Sequence, residues 1–309
     1  MKSSIALLRV WLILPLLAFG GSAALAAEKL DTLRFGLLPA EEAVEMVRQF
    51  KAIAEHVGKA VGLPTKIFVS QSYNALIEAM EAGKIDVAYL GGSTYVAAYN
   101  KGLDVVPMAV ARLQGRTYYK SCIITRPDSG IKTLQDLKGK SFAFVSPTST
   151  SGGVGPRFYL NKNGINPEEF FKSLIYAGKH DSVFLAVKNK KVDAGAVGDL
   201  YFSRWKERGL LKYSKYDEPN DTLKGSPDLR LLGCQKVPGT PMVGRGALGK
   251  EMIAKITKAL TSLPFNAIDK LRFWGATEKF VPTNHAFFAD LVEMKKLAAK
   301  LKKAAKKKK

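Results

Sequence analysis

The sequence predicts an α/β protein made of two lobes of like topology. Short apolar strands alternate with amphipathic helical stretches, one βα unit recurs at a constant offset of 107 residues, and two extended β-rich stretches flank the second copy. Alternation of this kind favours parallel strands with helices packed on the sheet faces.

Leu33 to Leu37 is a strand. Glu41 to Gly58 is a helix, because Val44, Val47, Ala54 and Val57 recur on one face. Lys66 to Val69 is a strand, Tyr73 to Ala82 a helix stopped by Gly83, and Ile85 to Leu90 a buried strand. The stretch SYNALIEAMEAGKIDVAYLG (72–91) then returns as KHDSVFLAVKNKKVDAGAVG (179–198). Ala79, Asp86 and Gly91 match Ala186, Asp193 and Gly198, while Leu76, Met80 and Ile85 match Val183, Val187 and Val192. The same offset sets Tyr73 against His180, each at the start of its helix. In open α/β sheets that edge is the ligand crevice. Thr117 to Thr125 and Leu229 to Gln235 are the two crossings between lobes. Lobe 1 is therefore expected over 27–120 plus 240–309 and lobe 2 over 121–239. Helices near Glu251–Leu263 and His285–Leu301 return to lobe 1.

The chain has 309 residues, and its 47% hydrophobic and 24% charged content suits a soluble body with a full core. Lys2 and Arg9, the apolar run Val10 to Phe19 and the small-x-small site Ala24-Leu25-Ala26 read as a signal peptide over 1–26. No cysteine stands directly after that site, so no lipid anchor is expected, and no later segment reaches the roughly 18 apolar residues of a membrane span. The mature protein is expected outside the cytoplasmic membrane. Of the net charge of +21, nine charges lie between Lys295 and Lys309 and two in the signal peptide, leaving about +10 on the folded body. A basic body attracts anions, and export argues against nucleic acid. The lysine-rich end reads as a solvated terminus.

Ser141 to Val145 is a strand ending at Ser146-Pro147. Thr148-Ser149-Thr150-Ser151-Gly152-Gly153 follows, and Val154 to Asn163 reads as a helix closed by Gly164. Backbone N–H groups and the helix dipole favour an anion at such a helix start, hydroxyls add donors, and glycines permit close approach. Pro156 is tolerated in the first turn. The bland reading is a serine-rich N-cap. The absence of GKS or GKT excludes a nucleotide P-loop.

SYNALIEAMEAGKIDVAYLG, YYKSCIITRPDSGIKTLQDLKGKSFAF, STSGG, AGKHDSVFLAVKNKKVDAGAV and LGCQKVPGTPMV occur in this order. Together they span most of the mature chain. The series resembles the phosphate/phosphite/phosphonate periplasmic binding proteins of ABC transporters. The resemblance implies a two-lobed type II periplasmic-binding fold, each lobe a mixed sheet flanked by helices, joined by two hinge strands and closing on ligand. It implies that Ser149, Thr150 and Ser151 hold the oxyanion, with Tyr73, Tyr119 and His180 at the cleft. Tyr95 and Ser121 also sit in matching motifs. His56 and His285 lack such context and are expected at the surface. Each tyrosine has an alternative as a packing residue, and His180 as a helix-capping one.

Two departures bear on the ligand. Family members that hold an ammonium group use an acid in Pro-x-Asp-Pro, where this chain has Pro238-Gly239-Thr240-Pro241. A second acid lies just after the Val192-Asp193 strand, where this chain has Leu200 at the matching place and Asp199 as the nearest acid, about one residue out of register. An unpaired ammonium in a closed cleft costs several kcal/mol. Phosphite, methylphosphonate or phosphate is therefore expected over 2-aminoethylphosphonate. Gly91-Gly92 also stands where the family has Gly-Pro. Cys122 and Cys234 fall in the two crossing strands, and a disulfide between them is expected, two unpaired thiols being the alternative.

The expected partners are a small oxyanion and a membrane ABC permease, with a monomeric protein in the periplasm. The rival partner is a membrane histidine kinase, to which the same fold would act as a sensor. A periplasmic hydrolase is the remote rival. The histidines lack metal-ligand spacing, no Gly-x-Ser-x-Gly elbow occurs, and Ser149 or Ser151 has only His180 as base. No enzyme, metal or cofactor is expected.

Overall fold

The computed structural model describes residues 30–113, 115–265 and 277–297. The signal peptide expected over 1–26 and the end of the lysine-rich tail lie outside them. The first lobe runs β1 (Leu33–Leu37), α1 (Ala43–Val61), β2 (Thr65–Val69), α2 (Tyr73–Glu81), β3 (Val87–Tyr89), α3 (Gly92–Asn100) and β4 (Val105–Leu113). The chain then enters a second sheet with β5 (Tyr118–Thr125) and β6 (Ser141–Phe144). There follow α4 (Gly155–Lys162), α5 (Pro167–Phe170), β7 (Ser173–Tyr176), α6 (His180–Lys188), β8 (Ala194–Gly198) and α7 (Leu200–Glu207). A small hairpin, β9 (Lys215–Asp217) and β10 (Thr222–Lys224), precedes β11 (Arg230–Pro238). The chain returns with β12 (Pro241–Arg245), α8 (Gly249–Thr261) and β13 (Thr277–Pro282). The helix expected over 285–301 is a 3-10 turn at His285–Phe288 followed by helix over 289–297.

Two mixed sheets result, in the orders β13-β4-β12-β3-β1-β2 and β11-β5-β8-β6-β7. In each, three strands are parallel, β1 between β2 and β3 and β6 between β7 and β8. Antiparallel strands complete the other edge. The protein is thus a two-lobed α/β body, and the strand changes between sheets fall between Leu113 and Tyr118 and between Pro238 and Pro241.

The offset of 107 extends well past the segment that revealed it. α2 starts at Tyr73 and ends at Glu81, and α6 starts at His180 and ends at Lys188, at the same offset. The aspartates explain part of the likeness. Asp86 accepts the Arg34 backbone N–H at 2.9 Å, and Asp193 accepts that of Ser141 at 2.8 Å. Arg34 and Ser141 stand at the same offset, so each carboxylate pins the start of the neighbouring parallel strand. Burying the Asp86 carboxylate is tolerable because Arg34 and Arg245 both pair with it, while Asp193 is only half-buried.

β5 and β11 pair with Cys122 directly opposite Cys234, and the two sulfurs are bonded at 2.04 Å. The bridge joins the two strands that begin and end the second sheet's share of the chain.

Candidate functional site

The helix after β6 does not open as the plain α-helix that the sequence suggests. The backbone passes through a π-helical turn at Thr150–Val154 before α4 begins, and Ser149 caps it by accepting the Gly152 N–H at 3.1 Å. Such π turns concentrate at functional sites. The turn itself requires the glycine pair. A Cβ on Gly152 would lie 2.2 Å from Val145 Cγ2, and one on Gly153 would lie 2.0 Å from the Ser146 carbonyl. Only glycine lets the turn fold back onto the end of β6.

Ser149, Thr150 and Ser151 are buried, yet they stand at the edge where the lobes meet. Across the gap, the Ser93 N–H in the first turn of α3 donates to Thr150 Oγ1 at 2.9 Å. Thr94 Oγ1 donates to the Thr148 carbonyl at 3.0 Å. These bonds orient the hydroxyls. Thr150 Oγ1 and Ser149 Oγ each accept an amide proton, so each hydroxyl keeps its own proton to donate. Ser149 and Thr150 therefore present donors, which is what an anion requires.

Tyr73 and Tyr119 converge on the triplet. Tyr73 is in hydrogen-bonding range of Ser149, and Tyr119 of Ser151, Thr240 and Thr150. Burial raises both phenols, Tyr119 to about 12 against the pull of Ser151, so both stay protonated donors. Ser121 lies beneath, its Oγ donating to the Ser151 carbonyl at 2.8 Å, and so braces the turn.

His180 begins α6 from the other side. Its N–H donates across the gap to the Ala40 carbonyl at 2.9 Å, and its ring stacks on Tyr201 with centroids 4.1 Å apart. Nδ1 accepts the Gly198 N–H at 3.3 Å, which assigns the ring proton to Nε2. Burial, helped by the charge of Arg204, lowers the imidazole to about 3. His180 is a neutral donor at any physiological pH.

Tyr95 is not brought to this group. Its hydroxyl pairs with His285 Nδ1 at 2.9 Å, and its ring packs on Phe288 at 5.0 Å. It faces the C-terminal segment because α3 turns that side away from the triplet. His285 is accordingly half-buried, stacked on Tyr99 at 3.9 Å. His56 is also half-buried and joins α1 to α8 through Ala259 O at 3.1 Å. Neither is the surface residue expected. The same packing explains Gly92: a Cβ there would lie 2.6 Å from Leu291 Cδ1 and 3.2 Å from Phe288.

Sequence reasoning missed four residues at the gap. Ser93 contributes its N–H, and its buried Oγ has no hydrogen-bond partner among the described residues. Tyr201 stacks on His180. Glu41, fully buried before α1, pairs with Arg204 of α7 from the opposite lobe. Glu41 was detectable in principle, since the 107 offset sets it beside the triplet at Thr148. Among the described residues no cluster of metal-ligating side chains occurs, and no helix is long and apolar enough to cross a membrane.

Two lobes with buried hydroxyl, phenol and imidazole groups between them have the build of a solute-binding protein. Residues 35–286 match the family described as ABC transporter, phosphonate, periplasmic substrate-binding protein, and the chain belongs to that family. Among curated relatives, the phosphate-import protein PhnD of Mycolicibacterium smegmatis is 31% identical over 236 residues, 73% of this chain and 70% of that one. A binding-protein component of an ABC phosphonate transporter from Pseudomonas aeruginosa has a similar structure, with TM-score 0.75 and 21% identity over 89% of each chain. PhnD1 from Prochlorococcus marinus, solved with methylphosphonate, gives TM-score 0.72 and 19% identity over 86% of this chain and 98% of that one. At these identities the two structures speak for the fold.

Proposed function

We propose that this chain captures a small phosphorus oxyanion, a phosphonate, phosphite or phosphate, in the periplasm and delivers it to a membrane ABC permease. One observation carries this reading: Ser149 and Thr150 accept amide protons while keeping their own, inside a gap ringed by neutral phenols and a neutral imidazole. Ser149, Thr150, Ser151, Tyr73, Tyr119 and His180 bind the anion, and Ser121 braces the turn. Tyr95 serves lobe packing. Each hydrogen bond to a charged ligand contributes about 1.5–3 kcal/mol, and closure strengthens the set by lowering the local dielectric. The lobes swing about the two strand crossings near 113–118 and 238–241.

Binding without turnover fits the histidine. Nδ1 is occupied by the Gly198 N–H and Nε2 carries the proton, so His180 offers no free lone pair to activate a serine. The names of the relatives, phosphate-import in one case and a methylphosphonate complex in the other, agree with the proposed ligand class.

Titration calorimetry with phosphite, methylphosphonate and phosphate tests the reading. At least one should bind, and at a hundredfold excess over Kd it should stabilise the fold by about 2.7 kcal/mol. Failure of all three to bind or to raise the melting temperature would overturn it.

A further inference from the structure

The gap contains a second charged group that the oxyanion does not need. Glu41 leaves lobe 1 just before α1 and is fully buried. Its Oε1 pairs with Arg204 Nη1 of lobe 2 and accepts from Gln49 Nε2 at 3.3 Å. Its Oε2 accepts no hydrogen bond among the described residues, and Arg208 Nη1 lies 3.8 Å from it. Arg208 in turn pairs with Asp181 at 3.0 Å, and Asp181 accepts the Trp205 indole N–H at 2.6 Å. Two cations and two carboxylates thus alternate, and the group is neutral as a whole.

This group adjoins the anion donors. The neighbouring Ala40 carbonyl takes the His180 N–H at 2.9 Å. The Arg204 guanidinium lies over the Tyr201 ring at 5.4 Å, and that ring stacks on His180. The pair also bridges the lobes, so it forms when they close. A buried carboxylate beside an anion site is the natural counter-ion for a ligand ammonium. Here that carboxylate is already held by a guanidinium. An incoming ammonium would either sit against Arg204 or displace it and strand a buried cation, and both are costly.

Resting on the oxyanion reading of the gap, we propose that the Glu41–Arg204 pair is its specificity determinant. It admits anions with an uncharged substituent and rejects those that carry an ammonium group. The absence of acids at Thr240 and Leu200 is then not compensated by Glu41, because Arg204 holds it.

The test compares methylphosphonate, 2-aminoethylphosphonate and phosphonoacetate by calorimetry on wild type, Arg204→Gln and Glu41→Gln, each checked for folding by its melting curve. Wild type should bind methylphosphonate at least tenfold tighter than 2-aminoethylphosphonate. Arg204→Gln should shift that ratio at least tenfold toward 2-aminoethylphosphonate. Glu41→Gln, which removes the carboxylate that neutralises the guanidinium, should shift it toward phosphonoacetate, and it serves alone if Arg204→Gln does not fold. Ligand ratios within threefold of wild type in the folded variants overturn the proposal, even where all affinities fall together, since a uniform fall is the signature of a closing latch. A wild-type protein that binds no phosphonate sinks the oxyanion reading itself, and this proposal with it.

Discussion

Thr150 gives the sharpest test of the site, because one atom serves both lobes. Its Oγ1 accepts the Ser93 N–H at 2.9 Å from lobe 1 and, in the proposed function, offers its proton to the anion. Thr150→Val keeps the shape and removes the hydroxyl. The loss of one hydrogen bond to a charged ligand costs about 1.5–3 kcal/mol. The Ser93 N–H is then stranded, but only in the closed form, since water solvates it when the lobes part. That adds about 1–3 kcal/mol against closure. The two costs are not strictly additive, and at 1.4 kcal/mol per decade they predict a loss of affinity on the order of 100- to 1000-fold. Thr150→Ser retains both bonds and should stay within about threefold of wild type. Calorimetry with the tightest of the phosphorus oxyanions measures both variants. The melting temperature without ligand should change little, because no lobe core is touched. A Thr150→Val protein within threefold of wild type would refute the assignment of the Thr150 hydroxyl as the group shared by Ser93 and the anion.

Three further outcomes are expected. Replacing Cys122 and Cys234 by serine opens a closed loop of 112 residues, and denaturant unfolding should show a loss of about 2–5 kcal/mol. His180, lowered to about 3, stays neutral when folded but gains a proton when unfolded below its ordinary value near 6.5, so it subtracts stability as pH falls through that window. Wild type should therefore lose about 1 kcal/mol more per pH unit than His180→Gln between roughly pH 6 and 4, and parallel pH profiles of the two proteins would count against it. Gly92→Ala forces a Cβ to within 2.6 Å of Leu291 and should cost about 1–3 kcal/mol by melting, with no effect if the C-terminal helix packs elsewhere.

What the chain declares in its own sequence is local. The strand over Leu33–Leu37 falls where its apolar run puts it, and α2 and α6 start at the two residues paired by the 107 offset. Apolar period, capping residues and stopping glycines act within one or two turns, so they are readable without the fold. The donor triplet was readable for the same reason, since three hydroxyls before a helix are a short-range signal. The partners of those groups were not. Ser93 meets Thr150 across 57 residues, Glu41 meets Arg204 across 163, and Tyr95 meets His285 across 190. Which way Tyr95 points, and whether the acid at Glu41 is available to a ligand, depend on where the chain returns after each crossing. Only tertiary packing decides that, because burial makes a charge or hydroxyl choose among whatever partners the closed lobes bring within reach.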